Sequence, residues 1–150
     1  MPDPGETVAD GTEFIWPVRV YYEDTDAGGV VYYANYLKFM ERARTEWLRS
    51  LGFEQDTLLQ QQRVVFPVQR VDIEYLQPAR FNDSLSVHVR MINLGRTSIL
   101  SGQTIFRDTD RTLLTRGEVR IACVDVDTFR PRAIPEAIQN AMKRFITHAD

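Results

Sequence analysis

The chain has 150 residues, 18 basic and 21 acidic for a formal charge of −3, with 43% hydrophobic and 11% aromatic content, the profile of one globular domain with a sizeable core. A single cysteine, Cys123, rules out an internal disulfide, and with only two histidines beside it no Cys/His zinc site can be assembled. No apolar run approaches the roughly 20 residues of a membrane span and the acidic first residues carry no hydrophobic signal core, so the chain is expected in the cytoplasm, with no metal and no cofactor.

Residues 1–13 hold Pro2, Pro4, Gly5 and Gly11 among acids, with little to bury, and are expected to be a disordered tail. The domain should occupy 14–150. Phe14–Tyr22 is rich in β-branched and aromatic residues and predicts a strand whose pairing Pro17 limits. Glu23–Gly29 (EDTDAGG) is a loop by composition. From Tyr33 to Leu51 the apolar positions Tyr36, Leu37, Met40, Ala43, Trp47, Leu48 and Leu51 follow the spacing of one helical stripe, closed by Gly52. Residues 54–62 add a short helical turn.

After Arg63 the apolar period falls to two. Turn residues at Pro78, Asn82-Asp83, Asn93 with Gly95, and Asp108 to Asp110 divide the stretch into strands near 64–76, 84–94, 96–107 and 111–126. Short connections predict an antiparallel meander. A final helix near 135–146 opens on a proline. A helix with one apolar stripe and a sheet with one apolar face must cover each other, which predicts an α+β domain: a curved five-stranded antiparallel sheet wrapped round a long central helix. The exposed sheet edges point to a homodimer or larger oligomer.

Charge is unevenly spread, with 5 basic and 11 acidic residues in 1–59 against 13 basic and 10 acidic in 60–150. Sixteen of the 18 basic residues are arginine, whose planar fork matches phosphate or carboxylate. The basic half is too dilute for general nucleic-acid binding but suits a phosphorylated small molecule. The G-x-S-x-G elbow, the phosphate-binding P-loop, the dinucleotide fingerprint and the H-E-x-x-H pair are all missing. His88 lies in an alternating strand and His148 near the chain end, and both are expected to face solvent.

What remains is the segment 21–36, YYEDTDAGGVVYYANY, in which Glu23, Asp24 and Asp26 precede the long helix. A carboxylate beside a helix N-terminus supplies what acyl transfer needs: a group to attack or to activate water, and N–H donors for an oxyanion. The plain alternative is a solvated loop that caps the helix.

These residues carry a resemblance. YEDTDAGGVVYYANYLKFMERARTEWLR, followed by IEYLQPAR and CVDVDTFRPRAIP, is similar in order and spacing to the 4-hydroxybenzoyl-CoA thioesterase group of hot-dog proteins, from about Trp16 to Ile138. The resemblance implies a hot-dog fold, an acyl-CoA thioester as substrate, and Asp26 as nucleophile or general base. It further implies the Tyr33 amide as oxyanion donor, Tyr22 and Thr25 as supports, and Gly29 and Val30 in the substrate-binding set. For the nucleotide end of coenzyme A it points to Arg96, Thr97 and Ser98, with Arg130 and Arg132 as further candidates. An acyl slot would be lined by the helix stripe with Phe66, Val68 and Tyr75 across a dimer interface. Many members of the group carry histidine where this chain has Tyr33. Some hot-dog thioesterases use a carboxylate of the central helix, here Glu41, which otherwise would point toward an adjacent protomer or pair with Arg42, Arg44 or Arg120. Acyl carrier protein or phospholipid-synthesis partners are also implied.

Overall fold

The computed structural model describes residues 13–147. The expected tail therefore lies outside the described residues except for Glu13, and so does His148. Glu13 opens β1 (Glu13–Arg19), which ends three residues short of the expected strand because Tyr22–Asp24 coils into a single 3₁₀ turn. The central helix α1 covers Asn35–Ser50 and a short helix α2 covers Gln55–Gln61. Gly52, at φ +99°, turns the chain off α1.

The expected 64–76 strand is two strands, β2 (Val64–Val65) and β3 (Val68–Tyr75), broken at Phe66-Pro67, since Pro67 has no N–H to give a ladder. Next come β4 (Ser84–Leu94), β5 (Ser98–Arg107) and β6 (Leu113–Ala122), then β7 (Val124–Asp125) and the helix α3 (Glu136–Thr147). β2 and β7 leave the main sheet to form their own two-stranded ribbon.

The main sheet runs β1-β4-β5-β6-β3, every neighbour antiparallel. The meander expectation holds for β4 to β6 and fails for β3, which pairs with β6 at the far edge instead of with β4. Residues 76–83 cross the end of the sheet to make this possible. Extended, they reach about 26 Å, more than the three strand spacings of about 14 Å between β3 and β4. Leu76 N–H is held by Leu114 O at 2.8 Å, Ala79 N–H by the Tyr36 hydroxyl at 3.0 Å, and Asn82 N–H by Val20 O at 2.9 Å. The crossing is thus pinned to β6, α1 and β1 in turn.

One face of the sheet packs on α1. Leu85, Val87 and Val89 of β4, with Ile99 and Ile105 of β5, meet Phe39, Met40, Ala43 and Trp47, all buried. Ile138, Met142 and Phe145 of α3 close the core, the Phe145 ring lying 5.4 Å from that of Trp47. A buried glutamine keys helix to sheet: Gln103 donates to Met40 O at 3.0 Å and accepts from Arg44 at 2.9 Å. β3, by contrast, is exposed along nearly its whole length.

Gly117 faces Ile73 on β3, and a Cβ there would stand 2.5 Å from Asp72 O. Gly117→Ala is expected to push β3 off β6 and cost about 1–3 kcal/mol, read as a lower urea midpoint.

Candidate active site

Residues 25–31 form a miniature hairpin. Thr25 bridges Val31, Asp26 N–H donates to Val30 O at 2.9 Å, and Gly29 N–H returns to Asp26 O at 3.0 Å. Gly29 sits at φ +79°, a conformation that costs other residues energy, which explains why the loop needs a glycine there. The exposed Asp26 carboxylate accepts the Gly28 N–H on Oδ1 at 2.8 Å. Its Oδ2 has no hydrogen-bond partner among the described residues.

Asp24 is the residue that composition undervalued. It is buried, accepts Tyr21 N–H at 2.9 Å and the Asn35 side-chain amide at 2.8 Å, and its carbonyl takes Tyr32 N–H at 3.0 Å. The hairpin is therefore stitched at both ends to the first residue of α1. The expected helix start at Tyr33 is a turn, because Asn35 N–H bonds back to Tyr32 O and regular helix follows. Among the described residues the N–H groups of Tyr33 and Ala34 have no acceptor, and no side chain caps the helix. These donors stand at the positive end of the α1 dipole.

Aromatic rings wall the site. Tyr33, 61% exposed, lies 4.7 Å from the Tyr32 ring and 6.1 Å from Tyr75. A side-chain hydrogen bond with Tyr33 raises the Tyr32 phenol above its usual value, and burial raises that of Tyr75. Tyr22, 74% exposed, stacks on Phe81 at 3.8 Å. Thr25 Oγ1 donates to Tyr22 O at 2.8 Å, so Thr25 braces the turn that carries Tyr22.

The expected substrate residues do not gather in one place. Asp26, Tyr33, Tyr22, Thr25, Gly29 and Val30 share the sheet end where β1, β3 and β5 finish. Arg96, Thr97 and Ser98 lie where β5 begins, and Arg130 and Arg132 follow β7 at that same opposite end. The ten residues of β5 separate the ends by about 30 Å. At the far end Thr97 O accepts Cys123 N–H and Arg96 O accepts Ile134 N–H, which fixes the Gly95–Ser98 turn against the chain before α3. Arg132 is committed in part to structure: its Nη1 reaches Gln62 O at 3.1 Å and Asp125 at 3.5 Å. The Asp125 carboxyl, held below its usual range by the N–H groups of Thr128 and Asp127, shapes the turn that leads to Arg130.

Two further expectations are corrected. Glu41 makes no ion pair among the described residues and accepts instead from Thr45 at 3.4 Å, because Arg44 turns under the helix toward Gln103 and Arg120 lies on the other face of the sheet. His88 does not face solvent: it is half-buried, 2.6 Å from Glu13 through Nδ1 and edge-on to Phe106.

Asp24→Ala leaves the buried Asn35 amide and the half-buried Tyr21 N–H unpaired and is expected to cost about 1–3 kcal/mol, seen in denaturant unfolding together with faster amide exchange at Tyr32. Burial pushes the Cys123 thiol up to about 11, against a smaller opposing pull from the Arg132 charge. Since the thiolate is the reactive form, iodoacetamide at pH 8 is expected to spare the native protein and to label Cys123 only in denaturant.

Residues 20–142 match the family model of the thioesterase-like superfamily. The acyl-CoA thioester hydrolase YbgC of Escherichia coli is 47% identical over 133 residues, covering 89% of this chain and 98% of its own. The acyl-CoA thioesterase YbgC of Haemophilus influenzae is 46% identical over 128 residues, covering 85% and 93%. Among solved structures, a probable thioesterase from Bartonella henselae superposes with a TM-score of 0.77 at 32% identity, covering 82% of this chain and 99% of its own. A 1,4-dihydroxy-2-naphthoyl-CoA thioesterase from Synechocystis shares the fold, with a TM-score of 0.82 at 23% identity over 87% and 96%. With its α+β hot-dog architecture and the YEDTDAGGVVYY loop set on the start of the central helix, the chain belongs to the thioesterase-like superfamily.

Proposed function

We propose that the protein hydrolyses acyl-CoA thioesters to the free acid and coenzyme A, using Asp26 of one protomer in a site completed by a second copy. The observation that carries this reading is the pairing of an outward Asp26 carboxylate with unaccepted N–H donors at the start of α1, both held by the Asp24 stitch. The thioester carbonyl oxygen lies toward the Tyr33 N–H. Asp26 then attacks the carbonyl carbon itself or takes a proton from the water that does so. The negative charge that collects on oxygen is stabilised by the helix start, and collapse of the tetrahedral intermediate expels the coenzyme A thiolate, which takes up a proton; where Asp26 has attacked, this leaves an acyl–aspartyl anhydride that water then hydrolyses to the free acid and the restored carboxylate. Water is the only co-reactant and no cofactor is required. Tyr33 contributes its backbone, so the missing imidazole of related proteins leaves the reaction type unchanged.

The second copy follows from β3. Its outer edge has no partner strand among the described residues, and Val68, Val71 and Tyr75, with Leu37 of α1, leave an apolar strip exposed. A two-fold pairing of β3 with itself would continue the sheet and remove that edge. Being antiparallel, it would bring the arginine end of one protomer beside the Asp26 end of the other. Arg96 and Arg130, whose side chains have no partner among the described residues, would then grip the phosphates of coenzyme A, with Thr97, Ser98 and Arg132 shaping that end. Two such dimers would make a tetramer. An acyl group delivered on the phosphopantetheine arm of a carrier protein, as in phospholipid synthesis, would reach Asp26 by the same route. No helix among the described residues is long and apolar enough to cross a membrane, in keeping with work in the cytoplasm.

The test is thiol release from short-chain, long-chain and aromatic acyl-CoA thioesters. Asp26→Asn is expected to lower kcat by about 10²–10⁴-fold while calorimetric affinity for the thioester stays within a few fold. Equal hydrolysis by the variant would remove Asp26 from its role, and binding without release by the wild type would make the protein an acyl-CoA binding module. Arg96→Ala is expected to raise KM about tenfold with kcat little changed, as loss of one charged hydrogen bond predicts.

A further inference from the structure

The turn that follows β7 carries a ring that the fold itself does not use. Phe129 is 63% exposed and makes no ring contact among the described residues, whereas the exposed Phe81 stacks on Tyr22. A phenylalanine has no polar tip to offer water and ordinarily lies buried. The backbone beneath the ring is as unusual. Phe129 sits at φ +60°, the left-handed region that turns ordinarily give to Gly or Asn and that a bulky side chain enters at a cost.

Many bonds impose that conformation. The Asp125 carboxylate accepts the N–H groups of Asp127 at 2.8 Å and Thr128 at 3.0 Å. Asp125 O accepts Phe129 N–H and Asp125 N–H donates to Arg130 O, both at 2.8 Å. Strained residues persist where their surroundings over-determine them, and they gather at ligand clamps. The neighbours of the ring are cations. Arg130 follows it directly, and Arg96 bonds through its carbonyl to Ile134 N–H, no more than about 14 Å of chain from Arg130; neither side chain has a partner among the described residues. The acids of the turn are already engaged, Asp127 with Arg63 at 2.8 Å and Asp125 with Arg132 at 3.5 Å. A ligand of hydrocarbon alone would leave the guanidinium groups unmatched, and a bare phosphate would leave the ring unused. A nucleotide answers both, with a base that stacks on an aromatic face and phosphates that take arginine.

We propose that Phe129 is the stacking platform for the adenine ring of coenzyme A, with Arg130 and Arg96 on the phosphates of the same nucleotide. The proposal rests on the acyl-CoA reading above and adds an adenine subsite to it. One base stacked on one ring carries about tenfold in affinity. The platform also separates two sources of acyl group: free coenzyme A brings an adenine to it, whereas the phosphopantetheine arm of a carrier protein does not.

The experiment takes the acyl group that wild type releases fastest and presents it on coenzyme A and on pantetheine, which lacks the nucleotide, to wild type, Phe129→Ala and Phe129→Trp. Phe129→Ala is expected to raise KM for the coenzyme A thioester about tenfold with kcat little changed, and to leave kcat/KM on the pantetheine thioester as it was. Phe129→Trp should keep the low KM. Since the ring packs on no other, neither variant should lower the urea midpoint. Calorimetry of coenzyme A itself reads the platform without turnover, and Phe129→Ala should bind it about tenfold more weakly. That loss, with no thiol release by wild type, would sustain the platform and overturn the catalytic reading alone. Unchanged affinity for coenzyme A in Phe129→Ala, or a lowered urea midpoint, would overturn the platform. So would an equal loss on both thioesters, which would assign the ring to a contact between copies. A wild type that binds no coenzyme A would overturn both readings.

Discussion

A buried carboxylate, Asp24, holds the candidate site together. Asp24 lies out of water, where an unpaired charge would be costly, and it is satisfied by the Tyr21 N–H on one side and the Asn35 amide on the other. Those two partners belong to the strand exit and to the first turn of α1. The hairpin bearing Asp26 therefore cannot shift relative to the helix amides without breaking a charged hydrogen bond. α1 is fixed in turn through the Gln103 bridge and through the Tyr36 hydroxyl on Ala79. Precision at an exposed loop is inherited from bonds made beneath it.

Charge is mixed at each end. Glu23, Asp24 and Asp26 share their end of the sheet with Arg19, Arg80 and Arg107, of which Arg107 is paired with Asp83 and Asp110. At the other end Arg63 and Arg132 are paired with Asp127 and Asp125, which leaves Arg96 and Arg130 with no side-chain partner among the described residues.

Much of this was legible in the residues. The helix stripe from Tyr36 to Leu48 located α1 within two residues, and alternation located β4, β5 and β6, because burial on one face leaves a period that no other structure shares. The order of strands was not legible. Residues 76–83 look like a hairpin link, and only their bonds to Leu114, Tyr36 and Val20 reveal a crossing. Asp24 and Asp26 are alike in composition, two acids one residue apart, yet one is buried and the other exposed; the difference lies in Asn35, eleven residues away. Arg132 read as a free cation because backbone carbonyls leave no mark in a sequence. The Thr45 bond to Glu41 was within reach, since four residues on a helix are neighbours.

The 30 Å that divide the two charged ends also bear on inheritance. In the proposed antiparallel pair each site would borrow its loop from one chain and its arginines from the other. A chain defective only in the loop and a chain defective only in the arginines would both fail alone. Joined as a mixed pair, they would place both intact ends at one site and both damaged ends at the other. Two crippled alleles would complement each other in one cell, whereas two lesions at the same end would not.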